Sequence, residues 1–141
     1  MKVKFKKLNP EVPSPRYATA GSAGADLSSA VGCLLMPGEV LIIPTGIAVE
    51  IPPGYEGQVR LRSSIGKRGF VMPNAPGTID SDYRGEIHVS MINTRDEPQG
   101  INFGERIGQI IIAPALQVKW EMTEELSATS RGNGGFGSTG T

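Results

Sequence analysis

Glycine and proline break this chain before any apolar run can grow into a long helix, together supplying 30 of its 141 residues, roughly twice ordinary usage. What lies between them is rich in β-branched side chains: 22 valines and isoleucines stand against 8 leucines. Such side chains suit a pleated surface better than a helix. Many short strands joined by turns should result. The length allows one all-β domain and is too small for two comfortable cores. A coiled coil, a helix bundle and a doubly wound sheet all fit poorly.

A period of two marks the strands. In Lys2-Val3-Lys4-Phe5-Lys6 the apolar Val3 and Phe5 alternate with lysines, which predicts a half-buried strand whose exposed lysines discourage edge pairing. Further strands are expected at Val40–Ile43, Ile47–Ile51, Gln58–Arg62, Glu86–Ile92 and Arg106–Ala113. Turns such as Pro44-Thr45-Gly46 and Pro52-Pro53-Gly54 separate them, at spacings typical of sandwiches and barrels. One short helical turn is expected near Ser63–Arg68. Residues 127–141 change character, with five glycines, Arg131 as the one charge and Phe136 as the one large apolar group. Such a segment buries too little surface to offset its ordering entropy, so a sandwich or barrel domain over residues 1–126 and a flexible glycine-rich tail over 127–141 are expected.

Several function classes drop out. Fourteen basic residues balance fourteen acidic ones, so no overall field would hold nucleic acid or a membrane surface. One cysteine, Cys33, excludes an internal disulfide framework and a cysteine zinc site; within Val-Gly-Cys-Leu-Leu it reads as a small buried hydrophobe. No apolar run reaches the roughly 20 residues that span a bilayer, and no apolar stretch follows the N-terminal lysines as in a secretory signal. A cytoplasmic protein, or a nuclear one in a eukaryote, is the expectation.

Five polar segments carry chemistry. In Gly21-Ser22-Ala23-Gly24-Ala25-Asp26-Leu27, Asp26 alone would read as a turn aspartate. Arg60-Leu61-Arg62-Ser63-Ser64-Ile65-Gly66 sets hydroxyls beside arginine at a helical turn, which suits an anion but equally a serine N-cap. The segment from Asn74 through Gly77, Thr78, Ile79, Asp80, Ser81, Asp82, Tyr83, Arg84 and Gly85 to Glu86 crowds carboxylates, an aromatic ring and arginine into what resembles a hairpin tip; Asp80 there is a candidate base. Gly104-Glu105-Arg106-Ile107-Gly108-Gln109 opens a strand with charges able to pair with each other. The last, Arg131-Gly132-Asn133-Gly134-Gly135-Phe136-Gly137-Ser138-Thr139-Gly140, joins a cation, free backbone N–H groups, hydroxyls and a ring in one flexible strip, the chemistry of a lid over a phosphorylated ring compound. It lacks the Gly-Lys-Ser/Thr of a Walker loop.

In this order and at these spacings the five segments resemble the motifs of the trimeric dUTP pyrophosphatases (dUTPases), over essentially the whole chain. Gly-Thr-Ile-Asp-Ser-Asp-Tyr-Arg-Gly-Glu and Arg-Gly-x-Gly-Gly-Phe-Gly-Ser-Thr-Gly are the most specific. Departures are small: Gly108 stands where alanine is frequent and Ile65 where leucine is usual. The resemblance implies a jelly-roll-like β-barrel of the β-clip type, assembled as a homotrimer that exchanges C-terminal tails and shares each site among three chains. It implies that Asp80 activates the water that attacks the α-phosphorus of dUTP. Tyr83 would lie against the deoxyribose, and Asn74, Gly77, Thr78 and Ile79 would read uracil. Arg62, Ser63, Ser64 and Gln109 would hold the α- and β-phosphates. Arg131, Ser138 and Thr139 would close on the γ-phosphate while Phe136 stacks on uracil, and Gly137 would also contact the substrate. Mg²⁺ would be held mainly by substrate phosphates, with Asp26 reaching it through water.

Neighbouring residues have simpler readings. His88 reads as packing or interface, Trp120 as a cover for the barrel, and Asp82 and Glu86 as supports pairing with Arg84. Two rivals carry different chemistry. A dCTP deaminase shares the barrel but needs a glutamate at the pyrimidine C4, which no motif here supplies. A catalytically dead binding module would have lost Asp80 or the tail motif, and both are intact.

Overall fold

Glu86–Asn93 alternates as the sequence predicts, with Ile87, Val89 and Met91 completely buried, and the fold is arranged around that strand. The structure is a computed structural model describing residues 1–136 and 138. In chain order the elements are β1 (Lys4–Lys7), β2 (Ala25–Ser28), β3 (Cys33–Leu35), β4 (Val40–Glu50), β5 (Tyr55–Leu61), α1 (Ser63–Lys67), β6 (Phe70–Val71), β7 (Gly77–Ile79), β8 (Glu86–Asn93), β9 (Gln99–Ile101) and β10 (Arg106–Pro114). All paired strands are antiparallel. The all-β expectation holds. The strands do not close into a barrel; they form sheets ordered β1-β4-β8-β6 and β2-β10-β5-β7, with a β3-β9 ribbon.

The inward side chains of both larger sheets form one apolar core, including Ile43 and Met91 from the first and Leu27, Val59 and Ile107 from the second. Truncating such a side chain to alanine typically costs 2–5 kcal/mol. The sheets approach closely at Gly108, where a Cβ would meet the Arg60 carbonyl oxygen at 3.1 Å and Val89 Cγ2 at 3.3 Å.

Several expectations change on folding. Pro44-Thr45-Gly46 is not a turn: β4 runs through it, with a register irregularity between Pro44 and Ala48 opposite β8. Gly46 supplies a positive φ of 66° there, and the buried Thr45 hydroxyl donates to the Ile87 carbonyl at 2.7 Å. A bulge thus bends one long strand where proline and glycine suggested two. Phe5 is half exposed and β1 buries neither face; Lys4 donates to Glu50 at 2.9 Å and holds that carboxyl below its usual range. Trp120 does not cover the sheets, being 91% exposed. Cys33 is half-buried rather than enclosed. Among the described residues, no helix is long and apolar enough to cross a membrane.

Candidate active site

Three strands bring the first group of predicted residues together. Asp26 of β2 lies opposite Gln109 of β10, and Gln109 lies opposite Arg60 of β5. Asp26 is therefore a strand residue, not a turn aspartate. Its side chain is only 10% exposed; Oδ2 accepts a hydrogen bond from Arg106 Nη1 at 2.9 Å, and Oδ1 forms an ion pair with Arg62 Nε at 2.9 Å. The Gln109 side chain lies against Gly24 so closely that any Cβ at residue 24 would displace it. Arg106 was not among the predicted site residues. Its sequence context suggested pairing with Glu105, but Glu105 pairs with Arg68 at 2.6 Å.

β5 leads straight into α1. The residue ahead of the helix is Arg62 in an extended conformation (φ −74°, ψ 147°), and no side chain caps the helix. The serine N-cap reading therefore fails. Ser63 and Ser64 are exposed, with no hydrogen bond to their hydroxyls among the described residues.

The second group surrounds β7. This strand pairs with β5, whereas β8 pairs with β4 in the other sheet. Residues 80–85 are thus a crossing between sheets and not a hairpin tip. They border a cleft of about 350 Å³ lined by Thr78, Ile79, Asp80, Tyr83, Glu86 and His88. Tyr83 Oη donates to the Glu86 carbonyl at 2.9 Å, and His88 Nδ1 lies 3.0 Å from the same oxygen. Since a carbonyl only accepts, that ring nitrogen carries the proton. Glu86 and Asp82 do not pair with Arg84. The Arg84 guanidinium instead donates to the carbonyls of Ser81 and Tyr83, at 2.7 and 2.9 Å, and Glu86 Oε1 accepts the Gly46 N–H at 2.6 Å. The sequence reads Glu86 as a support and His88 as packing or interface, yet both line the cleft.

Asp80 is exposed. Among the described residues its carboxylate has neither a hydrogen bond nor an ion pair. It also borders a wider depression of about 690 Å³ with Tyr55, Glu56 and Gln117. The Asn74 amide nitrogen lies 3.5 Å from where a Gly77 Cβ would be, so Asn74 stands beside the start of β7.

The two groups do not meet within one chain. Ile79 pairs with Gly57 near the start of β5, while Ser63 follows its end. At about 3.3 Å per residue, Asp80 and Ser63 are roughly 20 Å apart along that strand. Among the described residues, the tail joins neither group. Arg131 Nε donates to the Gly134 carbonyl at 2.9 Å, Ser138 N–H to Gly135 at 2.7 Å, and Phe136 is fully exposed. Gly137 and Thr139 lie outside the described residues.

A family model for dUTPase matches residues 10–140. The chain belongs to the dUTPase family. A deoxyuridine 5'-triphosphate nucleotidohydrolase of Anaeromyxobacter is 51% identical over 132 residues, covering 93% of this chain and 90% of the relative. One from Nautilia profundicola is 52% identical, covering 99% of both. Among solved structures, a variant dUTPase of Staphylococcus bacteriophage 80alpha with dUpNHpp has a TM-score of 0.92 at 28% identity, covering 99% of both chains. A dUTPase of phage phi11, at 24% identity and a TM-score of 0.82 over 89% of this chain and 98% of that one, shares the fold; a structural Mg(II) ion is described for that protein.

Proposed function

We propose that this chain hydrolyses dUTP to dUMP and pyrophosphate, which would keep uracil out of DNA and supply dUMP for thymidylate synthesis. The observation that carries the reading is the carboxylate of Asp80, unengaged among the described residues at the rim of the Tyr83 cleft. Asp80 would take a proton from water as the water oxygen bonds to the α-phosphorus. The bond from that phosphorus to the bridging oxygen breaks, and pyrophosphate leaves. No covalent intermediate is required; positioning and charge stabilisation suffice.

Each remaining residue would hold one part of the substrate. Tyr83, fixed through Glu86, would lie against the deoxyribose where a 2′-hydroxyl would clash. Asn74 and the backbone of Gly77, Thr78 and Ile79 would pair with uracil, and polar groups on one base edge reject cytosine better than an apolar pocket could. Arg62, Ser63, Ser64 and Gln109 would hold the α- and β-phosphates. The tail would act as a lid: Arg131, Ser138 and Thr139 on the γ-phosphate, Phe136 on the base, and Gly137 also against the substrate.

The family's chemistry implies Mg²⁺. Among the described residues no three His, Cys, Asp or Glu side chains cluster as ligands. The donor set therefore fits a magnesium held by substrate oxygens and water, and not a protein cage. Each Asp26 oxygen is engaged by one arginine, Arg106 through a hydrogen bond and Arg62 through an ion pair, and would keep a lone pair for such a water. When bound, the ion would supply neutralisation of phosphate charge.

The same geometry supports a homotrimer with shared sites. The roughly 20 Å between Asp80 and Ser63 along β5 exceeds what one substrate's α-phosphate can bridge, and a second chain would bring its own Ser63 to the first chain's Asp80. The segment after β10 also looks for a partner: Leu116, Val118, Trp120 and Met122 alternate with polar residues and are 90, 55, 91 and 99% exposed. A period of two with its apolar face in solvent is the pattern of a strand that lacks a surface, and another copy of this chain would provide it.

The test compares pyrophosphate release from dUTP and dCTP by wild type and Asp80→Asn. Release from dUTP only, lowered 10²–10⁴-fold in the variant, is the expected outcome. Release of ammonia from dCTP would instead indicate a deaminase, and a wild type inert to both would indicate a binding module.

A further inference from the structure

α1 has five residues, far too few to persist alone. Ile65, 2% exposed, fixes its middle in the core, and no side chain caps its start. Its far end is held from outside. The carbonyls of Lys67, Arg68 and Gly69 all accept hydrogen bonds from the connection between β8 and β9. Arg95 donates through Nη2 to Lys67 at 3.3 Å and through Nε to Arg68 at 3.2 Å. Gln99 Nε2 donates to Arg68 at 2.7 Å. Thr94 gives Gly69 both its hydroxyl, at 2.6 Å, and its N–H, at 3.0 Å.

The connection is itself braced. Asn93 is fully buried; its amide nitrogen donates to Leu35 and Glu97 at 3.0 and 2.8 Å. Its amide oxygen accepts from the Arg95 N–H at 3.0 Å and from Gln99 at 3.2 Å. Gly69, with φ at 89°, leaves its Cβ space to the Arg95 side chain. Arg95 itself is exposed and contributes nothing to the apolar core, so stability alone accounts poorly for two of its nitrogens being spent on the end of one short helix.

We infer that Arg95, together with Gln99, positions α1 from its far end and thereby fixes the Arg62–Ser64 segment against the phosphates. The inference rests on the dUTPase reading of that segment. A helix of five residues is about 7.5 Å long, so tilting at Arg68 is passed on to Ser63 with little loss. Neither residue touches substrate. Both act through backbone carbonyls, and misplacing a positioning group by about 1 Å can cost up to 10²-fold.

The test uses Arg95→Ala, Arg95→Lys and Gln99→Glu, the last nearly isosteric but without the donor to Arg68. Affinities for dUpNHpp and for deoxyuridine are measured on the same preparations, with kcat and KM for dUTP. Expected is a dUpNHpp affinity weakened about tenfold in Arg95→Ala and Gln99→Glu. Arg95→Lys should recover part of it, and deoxyuridine, which has no phosphate, should bind as in wild type. Equal weakening of both ligands, or of neither, overturns the inference. A wild type that does not hydrolyse dUTP counts against the dUTPase reading itself, which separates the two failures.

Discussion

The Tyr83 ring lies over Gly85 so closely that a Cβ at residue 85 would fall inside van der Waals contact with the phenol oxygen. The hydroxyl can reach the Glu86 carbonyl only because that Cβ is missing. Gly85→Ala should therefore displace the ring without touching the core. A fall in kcat/KM for dUTP of about tenfold is expected, with the unfolding midpoint nearly unchanged. Tyr83→Phe, which keeps the ring and loses the hydrogen bond, should lose less. Wild-type turnover in Gly85→Ala would mean that the ring's placement does not matter.

Asp26→Asn keeps the shape and removes the charge shared by Arg62 and Arg106. Hydrogen bonds to charged groups are worth about 1.5–3 kcal/mol, and the arginines here are partly solvated, so a destabilisation near the low end is expected. Arg62 also loses its anchor, so KM for dUTP should rise. Denaturant unfolding and steady-state kinetics on the same variant check both parts. An unchanged denaturation midpoint would show that the paired arginines add no stability.

Shared sites predict complementation. Homotrimers of Asp80→Asn, and of a truncation after Ser127, should each be nearly inactive. Unfolded together and refolded at equal concentration, they should form random closed trimers. If base and tail come from different chains, a site draws each intact with probability one half, and activity returns to about a quarter of wild type. Mixed trimers verified by native mass yet remaining inactive would place base and tail on the same chain.

Cys33 should react slowly. Burial pushes its thiol above the ordinary range, and the carboxylates of Glu105 and Glu39 add to the shift. Since the thiolate is the reactive form, alkylation of the folded protein should lag behind that of the unfolded chain at neutral pH. The rate should keep climbing at pH values where an ordinary thiol has levelled off. Equal rates for folded and unfolded chains at pH 7 would contradict the shift.

The long strands and the five motifs were legible because each is written in neighbouring residues: alternation in β8, hydroxyls after arginine at Ser63, the acid-rich run around Asp80. What escaped depends on distant partners. Pro44 and Gly46 signal a turn locally, and only the Glu86 carboxylate, 40 residues on, satisfies the Gly46 N–H and keeps β4 continuous. Asp26 reads as a turn residue until β10 and β5 are laid beside it. The short strands β3, β6 and β9 have two or three residues each, too few for any period to show. The Asn93, Arg95 and Gln99 network consists of side chains meeting backbone carbonyls, and no residue pattern announces which carbonyl lacks a partner.

The seven residues of β5 act as a spacer between the proposed base and the phosphate-holding segment. On the shared-site proposal a lone chain would be inert, however well folded. If trimers dissociate on dilution, mass action makes their concentration follow the cube of free chain, so activity per chain would fall with the square of concentration. Turnover would then report assembly directly, and newly made chains would stay silent towards nucleotides until they had found two others.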